Sequence, residues 1–205
     1  MDRRRRDTKE RFIKFTLERI RTSGEDDTTL RDLAKEFGIS AAALYNHFVD
    51  KDELLNEVLK VASSKVTTLY REYLADHGTL KGGKERLIQF GEFLLELFKN
   101  ESNLVSFLFF SKTAINLYSS VDVFENDQFK LLSIACEIID SVRIENNLSI
   151  SNFELYIKFW SFMEGYALFV TSGVFEGNSS FISDIVNDVL CGDAAKAKKW
   201  QETLR

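Results

Sequence analysis

The stretch LRDLAKEFGISAAALYNHF, Leu30 to Phe48, decides how the rest of the chain is read. Its apolar positions Leu33, Phe37, Leu44 and Phe48 recur at helical spacing on either side of Gly38-Ile39-Ser40. Gly38 can take the left-handed backbone that ends a helix sharply, and Ala34 is small enough for two helices to close up. Ile39 fills the angle between them, and the Ser40 hydroxyl caps the helix that follows. The pattern predicts a helix-turn-helix, a unit whose second helix can enter the major groove of DNA.

The exposed side of that second helix fits such a role. Ala41, Ala42 and Ala43 are small, permit close approach, and can pack a methyl against thymine. Tyr45 and His47 can donate to phosphate oxygens, which sets register without reading sequence. Asn46 carries the donor and acceptor that adenine presents in the major groove. Lys51 puts a cation at the start of the next helix, where the backbone dipole already favours an anion. The plainer reading is a helical hairpin with an exposed aromatic side chain.

Outward from this corner, the chain reads as all-α. None of its 205 residues is proline and only ten are glycine, whereas average usage is about 5% and 7%. A first helix is expected over about 8–22, burying Phe12, Ile13, Phe15, Leu17 and Ile20, followed by a loop through Glu25, Asp26 and Asp27. Thr29 and Asp32 form one capping box, and Asp50 and Glu53 a second that opens a long helix to about Ala75. HGTLKGGK, residues 77–84, is the clearest loop. Further helical segments are expected over roughly 84–99, 102–118, 125–147, 151–173 and 178–191, with a short surface helix after Gly192. The predicted boundary lies within the long helix, between a domain of residues 1–51 and a larger one of 52–205.

Charge is distributed unevenly. The net value is −5, yet residues 1–21 hold nine Lys/Arg against four Asp/Glu, and residues 52–205 hold 15 against 22. A basic head on an acidic body directs one end toward phosphate. The run Arg3–Arg6 reads either as a solvated tail or as an arm reaching the minor groove. No run of about 18 apolar residues spans a membrane, and MDRRRRDTKER lacks the apolar core of a secretory signal, so a cytoplasmic protein is expected. Cys136 and Cys191 read as reduced thiols.

Enzyme chemistry finds little support. GTLKGGKE, residues 78–85, mimics a phosphate-binding loop, but Glu85 replaces the Ser/Thr that would hold magnesium, and a helix precedes it where a strand is needed. His47 and His77 with dispersed cysteines build no metal cluster. No nucleophile–base set is visible, so no catalytic residue, metal or cofactor is expected.

TTLRDLAKEFGISAAALYNHFVDKDELL, residues 28–55, resembles the DNA-binding signature of the TetR/AcrR family of bacterial transcriptional regulators. The likeness is dense from about Arg11 to Leu59. It implies a homodimer that offers one recognition helix to each half of a palindromic operator. By matching positions, Thr29, Tyr45, His47 and Lys51 would contact phosphates, and residues 40–46 would face bases. Ala43 departs from the pattern, standing where many members carry a phosphate-contacting threonine. The resemblance also implies repression relieved by a small ligand in the C-terminal domain.

Fourteen of the 18 phenylalanines follow residue 51, clustered at 90–110 and 153–169. They read as core or as the walls of a cavity for an apolar or aromatic ligand, with Phe93, Phe110 and Trp160 as candidate walls. WSFMEGYALFVTSG, residues 160–173, resembles the eighth helix of AcrR-like members, with Glu164 where they carry histidine. Glu164 reads either as an acceptor for a ligand amine or hydroxyl, or as an edge residue paired with a lysine. The helices near 151–173 and 178–191 are the expected dimer surface, where Gly165, Ala167, Ser172 and Gly173 would let helices approach.

Overall fold

The protein is described from a computed structural model, which covers residues 3–25, 29–120 and 129–203; the side chains of 3–5, 117–120 and 193–203 lie outside that description. The expected loop at Asp26 and Asp27 and the start of the expected 125–147 segment fall outside it too. The regular elements among the described residues are all helices: α1 (Arg3–Ser23), α2 (Leu30–Phe37), α3 (Ala41–Tyr45), α4 (Lys51–His77), α5 (Gly83–Asn100) and α6 (Ser102–Val105). A π turn over Ser106–Phe110 follows, then α7 (Lys112–Ser120), α8 (Lys130–Glu145), α9 (Asn152–Thr171) and α10 (Ser179–Thr203).

Packing divides the chain into two compact units. Residues 1–69 and 101–131 form one, and residues 70–100 and 132–205 the other, so α4 contributes to both.

In the first unit, the apolar stripe of α1 buries Phe12, Ile13, Leu17 and Ile20 against Leu33, Leu44 and Phe48. Phe12 is the hub, edge-on to Phe37 at 5.1 Å and 5.9 Å from Phe48. Aromatic pairs in such geometry add about 0.5–1.5 kcal/mol beyond area burial. Phe15 remains half-buried, in contact with Phe37 at 5.4 Å. The far end of α1 is tied to α6: Arg21 Nε donates to Glu101 at 2.9 Å, and Asn103 donates to the Arg21 carbonyl at 3.0 Å. The Glu101 carboxylate holds the Arg21 guanidinium firmly in its charged form.

In the second unit, glycines set how closely helices meet. A Cβ at Gly83 would lie 2.5 Å from the Val142 backbone nitrogen, so the start of α5 abuts α8 directly. The Gly83 N–H donates to Glu145 at 2.6 Å. At Gly91 a Cβ would lie 2.8 Å from Ile182 and 3.4 Å from Phe159 and Met163, where α5 packs on α9 and α10. The loop after α9 is pinned by Tyr166, whose hydroxyl accepts from the Asn178 N–H at 2.6 Å and donates to its carbonyl at 2.9 Å.

Two expected elements differ. The segment 102–118 is not one helix: α6 passes into the π turn, and Ser111 takes extended backbone (φ −63, ψ 151) to restart α7. Its hydroxyl accepts from the Ala114 N–H at 3.0 Å, so a serine cap breaks the helix without glycine or proline. Conversely, α10 runs through Gly192 to Thr203, replacing the separate short helix expected there.

Candidate DNA-binding site

The corner at residues 29–51 assembles through local hydrogen bonds. Thr29, in extended backbone, accepts from the Asp32 N–H at 3.1 Å and starts α2. Gly38 ends it with φ 82, and the Ile39 N–H returns to the Ala34 carbonyl at 2.9 Å, a Schellman-type closure. Ser40 accepts from the Ala43 N–H at 3.1 Å and starts α3. Leu44 and Phe48, each 1% exposed, anchor α3 to the core and turn its other faces outward. The helix is short: Asn46 is its C-cap, and the His47 N–H donates to the Leu44 carbonyl at 2.8 Å.

The outward residues are those expected to meet DNA. Thr29, Ser40, Ala42, Tyr45 and Asn46 are exposed, while Ala41, Ala43, His47 and Lys51 are half-exposed. Asp50 accepts from the Glu53 N–H at 2.8 Å, as a capping box requires, but the Glu53 carboxylate takes the Val49 N–H at 2.7 Å instead of that of Asp50. The Val49 hydrogen bond, with Lys9 alongside, holds the Glu53 carboxyl below its ordinary range.

Much of the basic head is used internally. Lys9 lies 4.9 Å from the Phe48 ring centre and 3.3 Å from Glu53, while Arg19 pairs with Glu36 and Arg21 with Glu18 and Glu101. The excess positive charge of residues 1–21 thus partly brackets the corner rather than facing outward. The side chains of Arg3, Arg4 and Arg5 lie outside the described residues, and Arg6 sits near Glu10 at 3.6 Å.

The aromatic residues expected to line a ligand cavity fall in both units. Phe93 is core, packed on Tyr70 at 4.9 Å and Tyr73 at 5.6 Å. Trp160 is half-buried and stacked on Tyr156 at 6.2 Å, Glu164 is exposed on α9, and Phe110 belongs to the first unit. The second unit instead carries an open apolar cavity of about 500 Å³ lined by Phe162, Gly165, Tyr166, Phe169, Phe175 and Phe181. Phe162 and Phe169 stand in the clustered phenylalanines of the sequence; Phe175 and Phe181 join them only because the loop after α9 folds back. Ala167 is fully buried, whereas a Cβ at Gly165 would meet nothing within 4 Å.

Among the described residues no group of three or more His, Cys, Asp or Glu is placed to hold a metal ion. None of their helices is long and apolar enough to cross a membrane.

Fold and corner together define an all-α protein with an N-terminal helix-turn-helix. Residues 13–58 match the family described as bacterial regulatory proteins, tetR family. The chain is 30% identical over 69 residues to the HTH-type transcriptional regulator AcrR of Shigella flexneri, a match covering 34% of this chain and 32% of that protein. The chain therefore spans about a third of that curated relative's length. Among solved structures, a TetR family transcription regulator from Marinobacter aquaeolei VT8 aligns with TM-score 0.60 and 20% identity, over 91% of this chain and 96% of the other. A Saccharomonospora viridis structure in complex with choline aligns with TM-score 0.54 and 18% identity, over 89% and 94%. The likeness in sequence to the tetR family thus lies in residues 13–58, and the solved structures extend the likeness in fold along most of the chain.

Proposed function

We propose that the protein is a DNA-binding transcriptional repressor that grips a palindromic operator as a homodimer and is released by a small ligand. The capped corner at residues 29–51 carries this reading. In this reading the exposed or half-exposed Thr29, Tyr45, His47 and Lys51 meet phosphates, and Ser40, Ala41, Ala42, Ala43 and Asn46 meet base edges. In this reading residues 1–51 serve DNA and 52–205 serve dimerisation and ligand, and the site of action is the cytoplasm. A regulator needs no catalytic group, metal or cofactor for this task.

The second copy is assigned to the apolar face of α9 and α10. Phe169 and Val174 are 54% and 71% exposed there, and Phe175 and Phe181 extend the patch around the open cavity. Such a contiguous aromatic surface is unusual on a monomer. That the Saccharomonospora viridis structure of similar fold is in complex with choline supports the small ligand of this reading. Of the residues expected to meet an aromatic inducer, Phe110 lines the cavity of about 530 Å³ in the first unit.

The test is selection from a pool of random-sequence duplexes by the full-length chain. The expected product is an inverted repeat with half-sites one helical turn, about 34–36 Å, apart or a multiple of that. Recovery of only unrelated sequences would count against the reading. Phe169→Glu should give a monomer in sedimentation with unchanged helical content, and a persistent dimer would move the interface elsewhere.

A further inference from the structure

The first unit holds two cavities, of about 340 Å³ and 530 Å³, that share Glu25, Lys51 and Lys112 on their walls. The smaller is also lined by Asp52 and Thr113, so the first two residues of α4 and the first two of α7 face one space. The caps of both helices serve later N–H groups. Asp50 takes those of Glu53 and Leu54, and Ser111 takes those of Ala114 and Ile115. Among the described residues none accepts from the N–H groups of Lys51, Asp52, Lys112 or Thr113. Two positive helix ends thus converge on the cavity.

Thr113 is an independent sign. It is 9% exposed, lines the cavity, and its hydroxyl makes no hydrogen bond to a described residue. The residue is largely buried but its hydroxyl oxygen is not enclosed, so it can pair with a ligand in the cavity. Lys51 and Lys112 likewise form no ion pair among the described residues. The larger cavity is floored by the π turn through Ser106, Phe107 and Phe110, an irregularity frequent at functional sites. Glu25 and Asp52 balance the lysines in formal charge. They disfavour a ligand that is negative all over and leave room for one anionic head on a hydrogen-bonding body.

We propose that this cavity binds a small metabolite carrying one carboxylate or phosphate head, held by the N-terminal turns of α4 and α7 with Lys51, Lys112 and Thr113. Resting on the regulator reading above, occupancy also withdraws Lys51 from the DNA phosphate assigned to it. The effector is then polar, and it competes for a DNA contact at the corner itself.

The experiment follows thermal unfolding of the full chain in inorganic phosphate and, separately, in lactate, each against chloride at matched ionic strength. Ligand binding to the folded state raises Tm in a saturable way. The arm that responds identifies the head. Lys112→Gln, at an exposed position, and Thr113→Val, which keeps the volume, should abolish the rise while leaving Tm in chloride close to wild type. No rise in either arm, or a full rise in both variants, would overturn the site. In the same solutions wild type should lose about five-fold or more in duplex affinity and Lys112→Gln should not. A Tm rise with unchanged DNA affinity would overturn the competition and leave the site standing. Absence of DNA binding in chloride would overturn the regulator reading, and the Tm arm would still decide the site.

Discussion

The corner at residues 29–51 and the aromatic region of α9 and α10 were built by different rules. In the corner each feature depends on residues within five positions: Thr29 with Asp32, Gly38 and Ile39 with Ala34 and Lys35, Ser40 with Ala43. In the aromatic region, fate depends on distant partners. Phe159 is buried beside Gly91 of α5, while Phe162 lies 5.8 Å from Phe181 across the loop that Tyr166 pins. Local hydrogen bonding fixes the backbone of the first region. Side-chain packing between distant segments shapes the second.

The sharpest way to break that contrast is to empty the corner's core. Phe48→Ala should cost about 3–5 kcal/mol in denaturant unfolding, because Phe48 is 1% exposed and contacts Phe12. Phe175→Ala, at a 45% exposed position, should cost far less in a chain kept monomeric by Phe169→Glu. Equal losses would mean that the patch is core rather than surface. Next in size, Gly83→Ala should destabilise by about 1–3 kcal/mol, since its Cβ would meet backbone of α8 that no side-chain rotation can clear.

Ser40→Ala should cost about 1 kcal/mol through loss of the α3 cap, and Ser40→Gly less. Both are read by chemical denaturation, and an unchanged midpoint would remove the cap from the account. The smallest effect is electrostatic. Because the Glu53 carboxyl is held below its ordinary 4.5, it contributes stability above that pH, and the contribution is lost as pH falls through the lowered value. Wild type and Glu53→Gln should therefore differ at neutral pH and converge in acid. A gap that widens in acid would reverse the sign assigned here.

The same contrast explains what the sequence made legible. Thr29, Gly38, Ser40 and Asp50 announce their caps because each acts on a backbone group a few residues away. The break at Ser111 was hidden, since serine is common inside helices and only its extended backbone marks it as a cap. The capping-box pattern predicts that Glu53 reciprocates to Asp50, yet its longer side chain reaches the Val49 N–H. The surroundings of Phe93, Phe110 and Trp160 were not legible for another reason. Helical periodicity tells which face is apolar but not which distant face it meets, and Phe93 meets Tyr70 and Tyr73. Thr113 and Lys112 gave no signal at all, because their interest comes from a cavity rather than from a pattern.

In the proposed function Asn46 reads a base edge, whereas Lys51 holds a phosphate without reading sequence. The direct measurement is the affinity of the full chain for its selected duplex and for a scrambled one, across a salt series, with Asn46→Ala and Lys51→Ala beside wild type. Wild-type affinity should fall steeply and linearly in log–log form as counterions are released. Lys51→Ala should weaken both duplexes alike and lower the salt slope by about 1. Asn46→Ala should keep the slope and reduce preference for the selected duplex by about 1–3 kcal/mol. An Asn46→Ala protein with unaltered preference, or a Lys51→Ala protein with unaltered slope, would contradict the roles given to this corner.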